Sequence, residues 1–287
     1  MHANVKPDLG PSELDYMDQV VEQYNPAAWK VYPHVGEWRL DSEEVGLPFV
    51  EHARKLGVRV IAAHRGIAND TGDFAAPSSP VDLVLAAKAN PDVAFLTYHS
   101  GWQANVDEDH AFDPDASDAF GVDRLVKAVI DQGIGPTGNV YAELGSTWRN
   151  LMTMPQAAAH VLGKLLRYLG EDRVVWGTDS VFTGSPQEQI AAFRAFEIPL
   201  SMQEQYGYPA LTAAIKRKVF GLNAAQVYGI APEAMRCAIE DDYVEQLRMA
   251  RRDDPRAVPV PGEKSYGPRT RREFLAFQRW EEFWKLG

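Results

Sequence analysis

The stretch RVVWGTDS, Arg173–Ser180, joins a short apolar run to a Gly-Thr-Asp end, and this junction decides the fold. A run of β-branched and aromatic residues of this length predicts a buried strand. A carboxylate at the end of such a strand loses solvation unless a cation or hydrogen-bond donors compensate it. We therefore expect a group near the end of this strand to satisfy Asp179.

Similar runs precede this stretch at intervals of roughly 30 to 45 residues, each followed by a loop and an amphipathic helical pattern. Pro155 lies where a first-turn proline belongs, and Gly57, Gly133 and Gly170 lie where helix C-caps belong. The alternation predicts parallel strands joined by helices. The predicted strands are 27–32, 58–63, 93–98, 139–144 and 173–177.

Parallel strands buried on both faces occur in doubly wound sheets and in (β/α)8 barrels. The sequence contains neither GxGxxG nor GxxxxGK[ST], so a nucleotide-binding sheet is the less favoured of the two. We predict an α/β fold of the TIM-barrel type over residues 1–230, with about five to six strands.

Ionisable side chains follow the predicted strands, and the carboxyl ends of parallel strands meet at one mouth. Imidazole and carboxylate ligands suit Zn²⁺ or a similar ion, which would lower the pKa of a bound water toward neutrality. His52 lies inside a helical pattern and is given no role, and His2 offers no pattern to interpret. The strand-end residues are His34, His64, His99, Glu143 and Asp179.

Composition limits the partners. The chain has 40 acidic and 29 basic residues and a net charge of −11, which argues against a nucleic-acid surface. A single cysteine, Cys237, suits a reducing compartment. There is no charged and apolar leader and no run of about eighteen apolar residues, so we expect a cytoplasmic protein without a membrane role. Its expected partner is a small-molecule substrate.

Four segments in order resemble the later strands of the amidohydrolase superfamily: VIAAHRG (60–66), FLTYHSGW (95–102), VVWGTDS (174–180) and KRKVFGLNAAQVYGI (216–230). The branch they resemble is amidohydrolase 2, which contains aminocarboxymuconate-semialdehyde and resorcylate decarboxylases as well as hydrolases. The resemblance covers about residues 25–230 and implies a metal-dependent (β/α)8 barrel. Asn223 resembles the N-cap of the helix that ends the family's domain.

The resemblance also implies roles for individual residues. His64 matches a metal ligand, and His99 matches a histidine that touches the metal-bound water or the substrate. Asp179 matches a ligand that also accepts protons. The implied cofactor is one divalent metal ion, expected to be Zn²⁺, and the implied reaction is hydrolysis of a small organic substrate by metal-activated water. Non-oxidative decarboxylation is the alternative reaction on the same apparatus.

One feature of the family is missing. Its first strand carries H-x-H, two further metal ligands, and this sequence contains no H-x-H. We expect the first two strands to be absent, either because the gene product is truncated or because the barrel is remodelled, with truncation favoured. A catalytically silent remnant is therefore a third functional hypothesis.

Four more residues are candidates for substrate binding at the mouth, each with a structural alternative. Lys30 could bind a carboxylate or an aromatic acid, or could simply offset nearby carboxylates. Arg65 could grip a carboxylate with two nitrogens or form a surface salt bridge. Glu143 could bind substrate or pair with an arginine, and Trp102 could form an apolar wall or pack against the rim.

Residues 231–287 differ from the rest in composition and are predicted to be a C-terminal helical extension. They hold eleven basic and eleven acidic side chains, so the first 230 residues carry the whole negative excess. An aromatic helical face in this segment should be buried, against its own barrel or in a homo-oligomer interface. Its residues are Phe274, Phe277, Trp280, Phe283 and Trp284.

Overall fold

A computed structural model describes residues 1–67, 78–104, 106–180 and 185–234, together with residues 243, 246, 247, 249 and 250. Six strands in this part of the chain form one sheet in which every neighbouring pair is parallel. The strands are β1 (His2–Asn4), β2 (Ala28–Val31), β3 (Val60–His64), β4 (Ala94–Tyr98), β5 (Val140–Glu143) and β6 (Val174–Val175).

Helices follow the strands as the sequence pattern predicts. The C-cap glycines predicted at residues 57, 133 and 170 all have a positive φ, between 62° and 93°. A π-helical turn occupies Lys218–Leu222, and short 3₁₀ turns occupy Pro7–Leu9 and His99–Gly101. The α-helices are α1 (Pro11–Tyr24), α2 (Pro33–Gly36), α3 (Gly46–Lys55), α4 (Val81–Ala89), α5 (Gly121–Asp131), α6 (Thr147–Leu151), α7 (Pro155–Tyr168), α8 (Gln187–Ala195), α9 (Leu200–Tyr206), α10 (Ala213–Arg217) and α11 (Asn223–Val227).

The order of the strands distinguishes the two architectures that the sequence allowed. In space the strands follow their order in the chain, from β1 to β6, without a reversal. In a doubly wound sheet, the spatial order of the strands reverses at a switch point. In a barrel wall, the strands keep the order that they have in the chain. The prediction of a barrel-type α/β fold with five to six strands is therefore confirmed.

The strand register sorts side chains onto two faces. Lys30 pairs with Ala62, Ala62 with Leu96, and Leu96 with Tyr141, so these side chains point to the same face. The apolar members of this face form a buried cluster, against which Val227 and Tyr228 pack. The cluster consists of Ala28, Val60, Ala62, Leu96, Tyr141 and Val175.

The helical segment after α10 covers the outer edge of β6. The backbone N–H of Trp176 donates to the carbonyl of Val219 at 3.0 Å. The Nδ2 of Asn223 donates to the carbonyls of Glu171 (2.8 Å) and Val174 (2.7 Å). The prediction that Asn223 is an N-cap is wrong. It is the first residue of α11, and its side-chain amide donates to these two carbonyls instead of capping the helix.

The chain divides into two compact units. The first comprises residues 1–179 and 196–230 and contains all six described strands, and the second comprises residues 180–195 and 231–287, with α8 described. The predicted boundary after residue 230 stays a prediction. The aromatic positions 274–284 lie outside the described residues. No helix within the described ranges is long and apolar enough to cross a membrane.

We expect Asn223→Ala to lower the free energy of unfolding by about 2 kcal/mol, because the carbonyls of Glu171 and Val174 lose their donor. Urea unfolding followed by circular dichroism measures this loss. Gln226→Ala, an exposed change on the same helix, is the matched control. Equal midpoints for the two variants would show that the Asn223 amide does not hold α11 to β6.

Candidate active site at the carboxyl ends of the strands

The last inward-facing position of each central strand carries a polar side chain. Lys30 pairs with Ala62, two residues before His64, so Lys30 and His64 share a face. His64 in turn pairs with Tyr98, and Tyr98 with Glu143. The structure thus brings together Lys30, His64 and Glu143, which were predicted from the sequence. Tyr98 lies with them but was not predicted. The period-two spacing from Leu96 is the signal that could have found it.

Three imidazole rings lie in a row beside this layer. The ring centroids of His34 and His64 are 4.3 Å apart, and those of His64 and His99 are 4.4 Å apart. Nε2 of His64 is 2.7 Å from the Ile67 carbonyl, and Nδ1 of His99 is 2.7 Å from the Gly145 carbonyl. Carbonyl oxygens only accept, so we assign a hydrogen to each of these two outer nitrogens.

The remaining nitrogens of this pair face each other. Nδ1 of His64 lies 3.1 Å from Nε2 of His99. Burial lowers the pKa of His64 to about 2 and also lowers the pKa of His99, so both rings are neutral near pH 7. The buried Nδ1 of His34 has no hydrogen-bond partner within the described residues. The two nitrogens that face each other, Nδ1 of His64 and Nε2 of His99, therefore carry lone pairs and no hydrogen.

Asp179 lies four residues beyond β6 and has a left-handed conformation, with φ of 50°. Its Oδ2 accepts a hydrogen bond from the Ser146 hydroxyl at 2.5 Å and lies 3.5 Å from Nδ1 of His99. These contacts supply compensation for the charge that the sequence placed at the end of β6. Ser146 and His99 also have positive φ, 55° and 69°, and such backbone strain clusters at functional sites.

Glu143 is buried beneath these groups. Its Oε1 accepts the backbone N–H of Gly145 (2.8 Å), and its Oε2 accepts that of His99 (3.2 Å). Burial raises its pKa to about 7. A Cβ at Gly177 would overlap Oε1 of Glu143, which explains why glycine follows the apolar run of β6. The predicted substrate contact of Glu143 stays a prediction.

Lys30 is buried, with 9% of its surface exposed. Its Nζ lies 3.4 Å from the ring centroid of Tyr98 and 4.9 Å from that of Tyr32. Within the described ranges, Nζ has neither a hydrogen bond nor a carboxylate within ion-pair distance. Burial lowers the pKa of Lys30 to about 7, although the charges of Glu143 and Asp179 act in the opposite direction.

Arg65 and Trp102, two further predicted substrate contacts, are both buried. The Arg65 guanidinium pairs with both carboxylate oxygens of Asp82, at 2.9 and 2.5 Å, and Asp82 also accepts the N–H of Leu40. This geometry favours the salt-bridge alternative for Arg65, although the bridge is buried and not on the surface. The Trp102 carbonyl accepts the N–H of Ile67 at 2.9 Å. Their substrate roles remain predictions.

The sequence also gave no reason to place His2 at the site. Its Nε2 is 2.8 Å from the Tyr228 hydroxyl, and its Nδ1 is 3.1 Å from the Tyr98 hydroxyl. Burial lowers the pKa of His2 to about 4. Pairing of His2 with Ala28 sets it on the inner face, a register that becomes visible only once β1 is known to be a strand.

The donor set can be tested against a divalent ion. The facing nitrogens of His64 and His99 offer two lone pairs to one point. However, within the described residues no group of three His, Cys, Asp or Glu side chains could hold a metal ion. A catalytic zinc site normally takes three protein ligands. The described residues therefore do not supply a complete set of ligands for a resident metal ion, and the predicted ligand pair of His64 and Asp179 stays a prediction.

The amidohydrolase family model matches residues 2–230, and the chain belongs to this family. Family members are generally metal-dependent enzymes. A comparison with curated proteins finds no match.

Two solved structures are similar. One is 2,6-dihydroxybenzoate decarboxylase in complex with 2,6-dihydroxybenzoate (15% identity, 80% of this chain and 70% of that chain covered, TM-score 0.48). The other is an uncharacterized TIM-barrel protein of Bordetella bronchiseptica (12% identity, 79% and 66% covered, TM-score 0.46).

We expect Arg65→Ala to lower the free energy of unfolding by about 3–5 kcal/mol, because it leaves the carboxylate of Asp82 buried without its partner. Arg39→Ala removes a partly exposed pair with Asp41 and should cost less than about 1 kcal/mol. Denaturant titration compares the two. A small loss for Arg65→Ala together with weaker substrate binding would instead support the predicted substrate role.

Proposed function

We propose that the strand-end site is the active site of an amidohydrolase-type enzyme that hydrolyses a small organic anion. The observation that carries this proposal is the buried Nζ of Lys30, which has no carboxylate partner within ion-pair distance among the described residues and lies on the same face of the sheet as His64. Membership of the amidohydrolase family supports the general class of reaction. The substrate type follows from the side chains.

Lys30 binds the anionic group of the substrate in this proposal. A hydrogen bond between an ammonium and a carboxylate is strong where water is scarce, because the effective dielectric constant is low. The rings of Tyr32 and Tyr98, which contact Nζ, offer apolar surfaces beside the charge. A small carboxylate or aromatic acid fits these surroundings better than a cation or an extended polymer.

His99 and Asp179 move the proton. Asp179 keeps 29% of its side chain exposed, so its carboxylate can take a proton from the water that attacks the substrate carbonyl. The same carboxyl then returns the proton to the leaving group. His99 presents its Nδ1–H toward Gly145 and Asp179 and orients the carboxylate. The Ser146 hydroxyl, now bonded to Asp179, is a donor for the oxyanion that forms.

Non-oxidative decarboxylation is the second candidate. The observation that favours it is Glu143, whose pKa of about 7 leaves about half of its carboxyl protonated at pH 7, on the same face of the sheet as Lys30. Lys30 would hold the carboxylate in a desolvated position, and a neighbouring acid would protonate the carbon that loses it. A site without either activity corresponds to the silent remnant.

We expect the purified chain to hydrolyse at least one member of a panel of small anionic lactones, esters and amides. Asp179→Asn and His99→Gln should each lower kcat/KM by about 10²–10⁴-fold, because the first removes the group that carries the proton and the second removes the imidazole that orients it. Lys30→Met should raise KM for anionic members. Proton release measures the rates, and His52→Ala, on α3, is the control. Unchanged rates in the Asp179 and His99 variants would refute the proposal, and an inactive wild type would favour the remnant.

Zn²⁺ is the ion that the sequence predicts, and when bound it would polarise a substrate oxygen. Because the described donors number fewer than three at one point, we expect only weak binding. Zn²⁺ titrated into the chain should be removed by dialysis and should leave Tm unchanged. One equivalent retained through dialysis and lost in His64→Ala would show that donors beyond the described set complete a metal site.

A further inference from the structure

We propose that the Nζ of Lys30 is a nucleophile that forms an imine with a small β-keto acid and promotes loss of its carboxylate as CO2. This goes beyond the proposed hydrolysis, in which Lys30 only binds charge. It needs no metal ion, because the iminium nitrogen takes up the electron pair that a metal-bound oxygen would otherwise stabilise.

The position of Lys30 in the sheet gives its amine a fixed place. All four residues of β2 are buried, and Lys30 pairs with Asn4 on one side and Ala62 on the other. Because β2 is a central strand with neighbours on both edges, the Cα of Lys30 cannot move away from the inner face.

The surroundings of Nζ disfavour a permanent ammonium. Nζ lies 3.4 Å from the ring centroid of Tyr98 and 4.9 Å from that of Tyr32. The other buried lysine among the described residues, Lys164, has an ion-pair partner: its Nζ lies 3.0 Å from Glu108. Lys30 is buried to a similar degree without such a bridge. Desolvation in an apolar pocket is a known way to activate a lysine amine, and the lowered pKa of Lys30, about 7, agrees with it.

Space for a small organic chain adjoins one of these rings. Tyr32 is 38% exposed, and it also lines a cavity of about 240 Å³. The surface of the cavity is mostly apolar, which suits the alkyl or aryl end of a keto acid. Its other side chains include Val5, Leu9, Val35 and Trp38, together with the charged Lys6 and Asp8.

The steps balance without a further reagent. The neutral amine adds to the keto carbon, water leaves, and the C=N bond takes a proton to become an iminium ion. The bond between the α-carbon and the carboxylate breaks, CO2 leaves, and the electron pair moves into the iminium to give an enamine. The enamine carbon takes a proton from water, and hydrolysis of the iminium releases the ketone and restores the amine.

Acetoacetate is the probe that tests this step. We expect the full chain, incubated with acetoacetate and sodium cyanoborohydride, to gain one isopropyl group per chain, located at Lys30 by peptide mass spectrometry. The isopropyl group is the reduced form of the adduct after CO2 has left. Lys30→Arg keeps the positive charge but cannot form an imine, and it should lose the label. Lys88→Arg, an exposed change on α4, should keep it.

The inference is overturned if the wild type gains no label, or if the label is spread equally over surface lysines and persists in Lys30→Arg. Thermal unfolding of Lys30→Arg checks that the variant is folded. Failure of the imine can be told apart from failure of the proposed hydrolysis. A wild type that hydrolyses anionic esters but gains no label removes only the imine. A labelled wild type that hydrolyses nothing removes only the hydrolysis.

Discussion

The register of the parallel sheet is the constraint on which the rest of the site depends. Because side chains alternate between faces, pairing Lys30 with Ala62 and Leu96 with Tyr141 fixes which residues face inward on every central strand. A slip of one residue would turn Lys30 and Glu143 outward and put neighbouring apolar residues into the site. Burial of the apolar cluster stabilises this register. The cluster therefore also determines where the functional side chains lie.

Buried charges in this molecule fall into two groups. Arg65 with Asp82, and Lys164 with Glu108, are satisfied by their partners, as buried ions must be if they are to remain charged. Lys30 is the exception among these cations, since aromatic rings surround its Nζ within the described residues. A structural lysine would gain stability from a carboxylate at this position. Without such a carboxylate, Lys30 contributes less to stability, but its Nζ can bind a substrate anion or react as an amine.

The sequence predicted the alternation of strands and helices well, because a buried parallel strand needs a short apolar run and a helix end needs its glycine. It also predicted the strand-end histidines and carboxylates, which depend only on where each run stops. It missed Tyr98 and His2, whose places depend on pairing between strands distant in the chain. It left Arg65 open between substrate and ion pair, because Asp82 lies seventeen positions away and nothing local marks the partner. Asn223 was misassigned for the same reason: its acceptors, Glu171 and Val174, belong to another part of the chain.

The apolar run that ends in Asp179 can now be explained residue by residue. Val174 and Val175 supply the strand, and Gly177 leaves the space that Glu143 fills. Asp179 adopts a left-handed backbone, which costs an L residue of order 1–3 kcal/mol, and Ser146 opposite does the same. A hydrogen bond between two strained residues returns about 1 kcal/mol or somewhat more with a charged acceptor, so it does not offset both strains. The rest must come from the packed sheet, and the strain then serves to hold the carboxylate beside His99, where proton transfer needs it.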